Sequence, residues 1–131
     1  MFRSTLILSL LITVFFTAIG FSQTGGPAVE TIEICTNIID REPVDTDSVF
    51  ASTVERLYCF TKITNATAPT SVSHIWYYND KEMAKVELNV KDTAWRTWSS
   101  KRIVVSWVGK WRVDVVTADG TVLKSKPFSV Q

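Results

Sequence analysis

The chain has 131 residues, of which 14 are basic, 13 are acidic and 46% are hydrophobic. This length fits one small domain with a single hydrophobic core. The balanced charge opposes nucleic-acid binding, which depends on a basic surface. One histidine and two strand cysteines do not make a convincing zinc site, which usually needs three or four well-spaced ligands. We therefore expect no metal and no cofactor.

The N-terminus carries the pattern of an export signal. Arg3 precedes an apolar run over residues 6–16, and small residues follow that run. The run is shorter than the roughly 20 residues needed to span a bilayer, so we expect cleavage after Ser22, or alternatively after Gly20. Retention of the segment as an uncleaved anchor is the other interpretation that the pattern leaves open.

This pattern defines the predicted domain organisation. Residues 1–22 are a cleaved signal peptide, residues 23–30 a leader, and residues 31–131 a single domain. We expect the mature chain in the periplasm or outside the cell, with no stable membrane span after cleavage. The pattern does not fix the oligomeric state.

Cys35 and Cys59 both fall inside predicted strands. They lack the C-x-x-C spacing of a redox motif. An oxidising compartment would join them in one disulfide between two strands. Two buried free thiols are the alternative.

Short β-rich runs separated by turn residues occupy most of the mature chain. In the run 72–78, a period of two places Val72, His74, Trp76 and Tyr78 on one side, and the run 84–90 alternates apolar and polar residues. Residues 40–48 are acidic and contain a proline, which indicates a loop. About seven strands and no helical period predict an all-β fold, a single small antiparallel β-sandwich of immunoglobulin-like architecture.

Residues 95–112 hold four of the five tryptophans, five basic residues and no acid. Gly109 predicts a tight turn at residues 109–110 that closes two strands within residues 95–116 into a hairpin. In that register Trp107 lies opposite Arg112 on a partly wet face, where a cation can lie over an indole ring.

A second tight turn is predicted at residues 119–120, an Asp-Gly pair. It pairs Trp111 with Phe128 and places Lys124 opposite a core valine, which predicts a bulge. Pro127 predicts that this last strand lies at a sheet edge.

Several phrases of the sequence share their order and spacing with a known family. They are I-C-T-N-I-I-D-R-E-P-V-D at residues 34–45, L-Y-C-F-T at 57–61, H-I-W-Y-Y-N-D at 74–80, W-R-T-W-S-S-K at 95–101 and G-K-W-R-V-D-V-V-T-A-D-G-T-V-L at 109–123. Over about residues 34–130 the chain resembles the bacterial family called domain of unknown function 2914. The resemblance implies a β-rich module of the kind attached to membrane or envelope proteins, and it transfers no catalytic or ligand-binding residue. Cys35 and Cys59 are not part of the family's usual pattern and look like a local addition.

Patterns of catalysis are missing from the sequence. A serine hydrolase would have to use His74, but there is no G-x-S-x-G elbow and no acid partner beside Ser99 or Ser100. The acids concentrate in the segment 40–47, which does not suit a glycosidase pair. We expect no enzyme, and we expect His74 to be a strand histidine bonded by its neighbours.

Two classes of function remain. The first is a protein-interaction or structural module of the bacterial cell envelope, with tryptophans mainly in the core. The second is a binding module for an acidic glycan or other anionic ligand, in which indoles stack on sugar rings and guanidinium groups pair with carboxylate or phosphate. The candidate residues for the second are Trp95, Arg96, Trp98, Arg112, His74 and Trp76. Exposure of the tryptophans discriminates between the two classes.

Overall fold

The computed structural model describes residues 26–131, so the predicted signal peptide and the start of the predicted leader lie outside the described residues. The strands are β1 (Ala28–Ile39), β2 (Glu42–Thr46), β3 (Val49–Phe50), β4 (Arg56–Thr64), β5 (Thr70–Tyr78), β6 (Lys81–Val90), β7 (Trp95–Arg102), β8 (Gly109–Thr117) and β9 (Val122–Val130). A single 3₁₀ turn, Ser52–Val54, is the one helical element of the described range. No helix there has the length and apolarity to cross a membrane.

The strands form two sheets that pack face to face. One sheet has the order β2-β1-β4-β7 and the other the order β3-β9-β8-β5-β6. Neighbouring strands are antiparallel except β3 and β9, which run parallel. The prediction of a small all-β sandwich is confirmed, with nine strands in the described residues. Its immunoglobulin-like topology stays a prediction.

The acidic segment 40–48, predicted as a loop, contains strand β2. Asp40 and Arg41 have φ values of 52° and 63°, and two such residues in succession form the tight turn that reverses a hairpin. The chain therefore returns along β1, with Ile39 opposite Glu42. Pro43 is compatible with this strand because β2 lies at the edge of its sheet.

The predicted hairpin over residues 95–116 is wrong. Strand β7 pairs with β4, whereas β8 pairs with β5 and β9 in the other sheet. The two strands are joined by residues 103–108, here called the tip loop, which crosses from one sheet to the other. Gly109, with φ 123°, begins β8 and is not a hairpin turn residue. Trp107 consequently does not lie opposite Arg112.

The predicted pairing of β8 with β9 is confirmed, but the turn is one residue longer than predicted, because the Thr117 N–H donates to the carbonyl of Thr121 across residues 118–120. Trp111 lies opposite Phe128, and Lys124 lies opposite Val115 beside a break in the register. The edge prediction for the last strand holds along most of its length, because β3 pairs only with the final two residues of β9. Turn chemistry and side-chain alternation were sufficient here because the two strands are adjacent in sequence.

The core lies between the two sheets. Strand β5 sends Val72, His74 and Trp76 inward, as its alternation predicted, and all three are buried. Trp76 packs edge-on against Phe128, with ring centroids 6.1 Å apart. The other large buried residues of the core include Ile34, Leu57, Ile63, Val113, Val115 and Val130.

The structure corrects the predicted disulfide. Cys35 lies opposite Tyr58, and Cys59 lies opposite Ile34, on the neighbouring strands β1 and β4. Residues directly opposite each other share a face of the sheet, and successive residues alternate between faces. The two thiols therefore point to opposite faces, Cys59 into the core, and both are free and buried.

Candidate functional site

The six candidate residues do not form one surface. Three of them lie on β7, where Arg96 and Trp98 share one face and Trp95 lies on the other face and packs against the core. Arg112 lies on β8 in the other sheet. His74 and Trp76 are on β5 and fully buried. A ligand at the surface would therefore meet Arg96 and Trp98, or Arg112, but not all six.

The histidine lies in a buried polar cluster that joins the two sheets. His74 Nε2 is 3.1 Å from Thr61 Oγ1, and His74 Nδ1 is 2.7 Å from Ser99 Oγ. The Thr61 hydroxyl donates to the carbonyl of Thr97 at 2.9 Å, and the indole N–H of Trp76 donates to Ser99 Oγ at 3.0 Å. No buried side-chain nitrogen or oxygen in the described residues lacks a partner.

These contacts assign the protons of the cluster. Because the Thr61 hydroxyl gives its proton to a carbonyl, its oxygen accepts the Nε2 proton of His74. His74 Nδ1 then accepts the Ser99 hydroxyl proton, and the Ser99 oxygen accepts from Trp76. The result is a neutral imidazole with every hydrogen-bonding group used.

Burial governs the chemistry of this cluster. Burial lowers the pKa of His74 to about 4, because a charged imidazolium would lose its hydration. The Ser99 and His74 contact has the donor pattern of a serine nucleophile with its base, but both side chains are buried. The second imidazole nitrogen contacts Thr61 and not a carboxylate. The cluster is thus arranged to link the sheets.

On β7 two of the three candidate side chains, Arg96 and Trp95, are engaged by the turn between β1 and β2. Arg96 Nη1 lies 2.8 Å from Glu42 Oε1. The guanidinium of Arg41 lies over the ring of Trp95, 5.6 Å from its centroid. Trp98 is half-buried opposite Phe60. The charge of Arg96 and one face of the Trp95 ring are therefore already used within the chain.

A groove with a volume of about 700 Å³ surrounds Arg112 on the five-stranded sheet. We call it the Arg112 groove. Its lining side chains include Val49, Tyr77, Asp80, Lys110, Trp111, Arg112, Pro127 and Phe128. The volume lies in the range of pockets that bind small ligands or side chains.

The strand register explains how the groove is built. Tyr77 and Pro127 both lie opposite Arg112, one on each neighbouring strand, so the three side chains share a face. Asn79 and Asp80 form the tight turn after β5, with φ values of 46° and 64°. This turn brings the Asp80 carboxylate to the Arg112 guanidinium.

Arg112 is held from three sides. Its guanidinium carbon lies 4.0 Å from the centroid of the Tyr77 ring. It forms ion pairs with Asp80 and with Asp114, the second at 3.3 Å between Nε and Oδ1. Ser125 also donates to Asp114 Oδ1. The positive charge of Arg112 is balanced by carboxylates of the same chain.

The described residues contain no group of three or more His, Cys, Asp or Glu side chains placed to hold a metal ion. Burial raises the pKa of the Cys59 thiol, which disfavours the thiolate that metals bind.

Comparison with known families gives a match that covers most of the five-stranded sheet. Residues 69–130 match the model of a family described as Protein of unknown function (DUF2914). These residues belong to the DUF2914 family. The DUF2914 match runs from the residue before β5 to the end of β9, and so includes most of the Arg112 groove. The phrases at residues 34–45 and 57–61 lie outside it, and no curated protein sequence matches the chain.

Sequence reasoning found Arg112 but missed its neighbours. Period-two alternation does place Tyr77 on the outward side of β5, and the turn residues Asn79 and Asp80 are readable from the sequence. Their meeting with Arg112 depends on the pairing of β5 with β8, which are separated in sequence by two other strands. No local pattern specifies that pairing.

Proposed function

We propose that the chain is an exported, non-catalytic module that binds a protein partner of the bacterial cell envelope through the Arg112 groove. The N-terminal export pattern supports the location. The observation that carries the binding role is the composition of the groove, in which a fixed arginine and a tyrosine stand beside apolar side chains. Arginine and aromatic residues in partly buried positions dominate the energetics of protein interfaces.

Charge balance favours a polypeptide over a free anion. An anionic ligand at Arg112 would have to compete with Asp80 and Asp114, which already pair with the guanidinium. Asp80 itself is exposed and would repel the ligand. A protein partner can supply both signs of charge, pairing with Asp80 and Lys110 at once.

The cations that lie over three aromatic rings also argue against sugar stacking. Arg41 lies over the ring of Trp95, Lys101 over the ring of Trp107, and Arg112 over the ring of Tyr77. Stacking on a sugar needs a free ring face. The acidic-glycan alternative is therefore supported less well than protein binding.

The partner is expected to dock its side chains and not to add a strand. Lys124 and Lys126 lie opposite Val115 and Val113, so they occupy the core-facing side of the edge strand β9. Inward-pointing charges on an edge strand oppose pairing with another chain. Pro127 also lacks the backbone N–H that a new strand would use.

A catalytic role has little to support it in the described residues. The histidine is buried in a neutral tautomer with both nitrogens bonded. Burial raises the pKa of the Cys35 and Cys59 thiols, so neither is an activated nucleophile.

The test compares capture of envelope proteins by the parent and by matched variants. Val49→Arg with Asp80→Arg changes two exposed positions of the groove and reverses one charge. Val122→Arg with Asp119→Arg makes the same changes at the start of β9 and in the turn before it, outside the groove. We expect one partner to be retained by the parent and the Val122 variant and lost by the Val49 variant. Binding is then repeated with the purified partner.

Two results would contradict the proposal. One is equal retention of the partner by all three proteins. The other is failure of capture together with a rise in melting temperature when the parent is mixed with acidic oligosaccharides, which would favour the glycan alternative.

A further inference from the structure

The tip loop combines exposed apolar side chains with a fixed backbone. Val105 is 63% exposed and Val108 is 45% exposed, whereas Ile103 is buried and packs in the core. The Trp107 N–H donates to the carbonyl of Val104 at 2.8 Å, and the Trp107 carbonyl accepts from the Trp111 indole at 3.0 Å. The valines are therefore held out into solvent by a bonded turn.

Basic side chains surround the base of this loop. Arg102 ends β7, Arg56 lies opposite it on β4, and the Lys101 ammonium lies over the Trp107 ring at 5.1 Å from the centroid. The ion pairs of the described residues use other side chains. The nearby acid is the exposed Glu55, so the cluster keeps a net positive charge.

Mutual repulsion acts within the basic cluster. The pKa of Lys101 lies below its ordinary value, first because burial removes part of its hydration and then because Arg56 and Arg102 repel its charge. An external anion beside the three cations would relieve this repulsion. The cluster is therefore complementary to a surface that carries several negative charges.

We propose that the tip loop and the cations at its base dock on the surface of a bilayer that contains anionic phospholipid. Val105 and Val108 enter the boundary between headgroups and acyl chains, and Trp107 lies at the headgroup level, where indoles are enriched. Arg56 and Arg102 pair with lipid phosphates. This inference is independent of the Arg112 groove.

Other partners fit the surface less well. A nucleic acid would use the cations but would gain nothing from exposed valines. A second copy of the chain would bring like charges together. An acidic protein patch with an apolar centre is the alternative that the experiment must separate.

The experiment measures co-sedimentation with vesicles of phosphatidylcholine alone and of phosphatidylcholine mixed with phosphatidylglycerol. The protein is purified as cells produce it, so all variants share one N-terminus and differ only at the substituted residues. Arg56→Gln with Arg102→Gln removes two cations, and we expect about 25-fold weaker binding to the anionic vesicles at low salt, about fivefold for each cation. Val105→Asp is expected to weaken binding about tenfold or more.

Matched controls change the opposite end of the sandwich. Lys91→Gln with Lys124→Gln removes the same charge, and Val122→Asp changes a valine that is 53% exposed; both should bind like the parent. Equal binding of the parent to both vesicle types would overturn the proposal, as would parent-like binding by Val105→Asp. If the parent does not bind vesicles but captures an envelope protein that Val105→Asp does not capture, the surface is a protein interface and the proposal fails.

Discussion

Replacing Ser99 by alanine tests the buried cluster that joins the two sheets. The substitution removes the donor to His74 Nδ1 and the acceptor of the Trp76 indole N–H. Each buried polar group left without a partner costs about 1–3 kcal/mol, so the loss should be about 2–6 kcal/mol. For a domain whose total stability is about 5–15 kcal/mol, this change is large for the removal of a single oxygen.

The assay is urea unfolding of the parent, Ser99→Ala and Ser100→Ala, with the free energy of unfolding taken by linear extrapolation. Ser100 is the next residue of the same strand and accepts a hydrogen bond from exposed Arg56 at 2.8 Å. Its loss should cost no more than about 0.5 kcal/mol. Equal effects of the two substitutions at an unchanged denaturant slope would refute the role given to the cluster.

Three further predictions follow from burial and backbone geometry. Burial lowers the pKa of His74 to about 4 from 6.5, so the unfolded chain binds this proton at a higher pH than the folded chain does. The free energy of unfolding should therefore fall by about 3 kcal/mol between pH 6.5 and pH 4. In the folded His74→Gln variant this fall should be smaller by the same amount. Cys35 and Cys59 should alkylate only after denaturation, and a mass lower by two hydrogens in the exported protein would disprove the free-thiol assignment. Gly109→Ala should destabilise by about 1–3 kcal/mol in the same urea assay, because φ is 123° there and only ordinary contacts meet the added methyl group; no loss would show that the backbone accommodates alanine.

Local patterns predicted the strands whose partners are near in sequence. Alternation in β5 placed His74 and Trp76 inward, and the Asp-Gly turn placed Trp111 opposite Phe128. Both features depend on side-chain period and turn chemistry, which act over a few residues. These patterns were enough to predict an all-β sandwich.

The same reasoning failed where the chain changes sheets. Residues 103–108 are apolar on both faces, so no period shows whether the chain turns back or crosses. The partner of β7 is β4, where Phe60 lies opposite Trp98. Such long-range pairing is not encoded in a local pattern.

The candidate site was predicted in part for the same reason. Arg112 was identified by its type and its aromatic neighbours in sequence. Tyr77 and Asp80 contact it only because β5 pairs with β8. The Trp95 ring and the Arg96 charge on β7 were predicted to bind a ligand, but Arg41 and Glu42 of the β1–β2 turn contact them.

Site-specific photo-crosslinking in living cells tests the central claim most directly. A photoreactive amino acid replaces Val49 in the Arg112 groove or, as the control, Val122, and both positions are exposed. We predict that the Val49 position crosslinks one envelope protein and that the Val122 position does not. The same crosslinked products from both positions, or none from Val49 in folded and exported protein, would contradict the assignment of the groove as a protein-binding site.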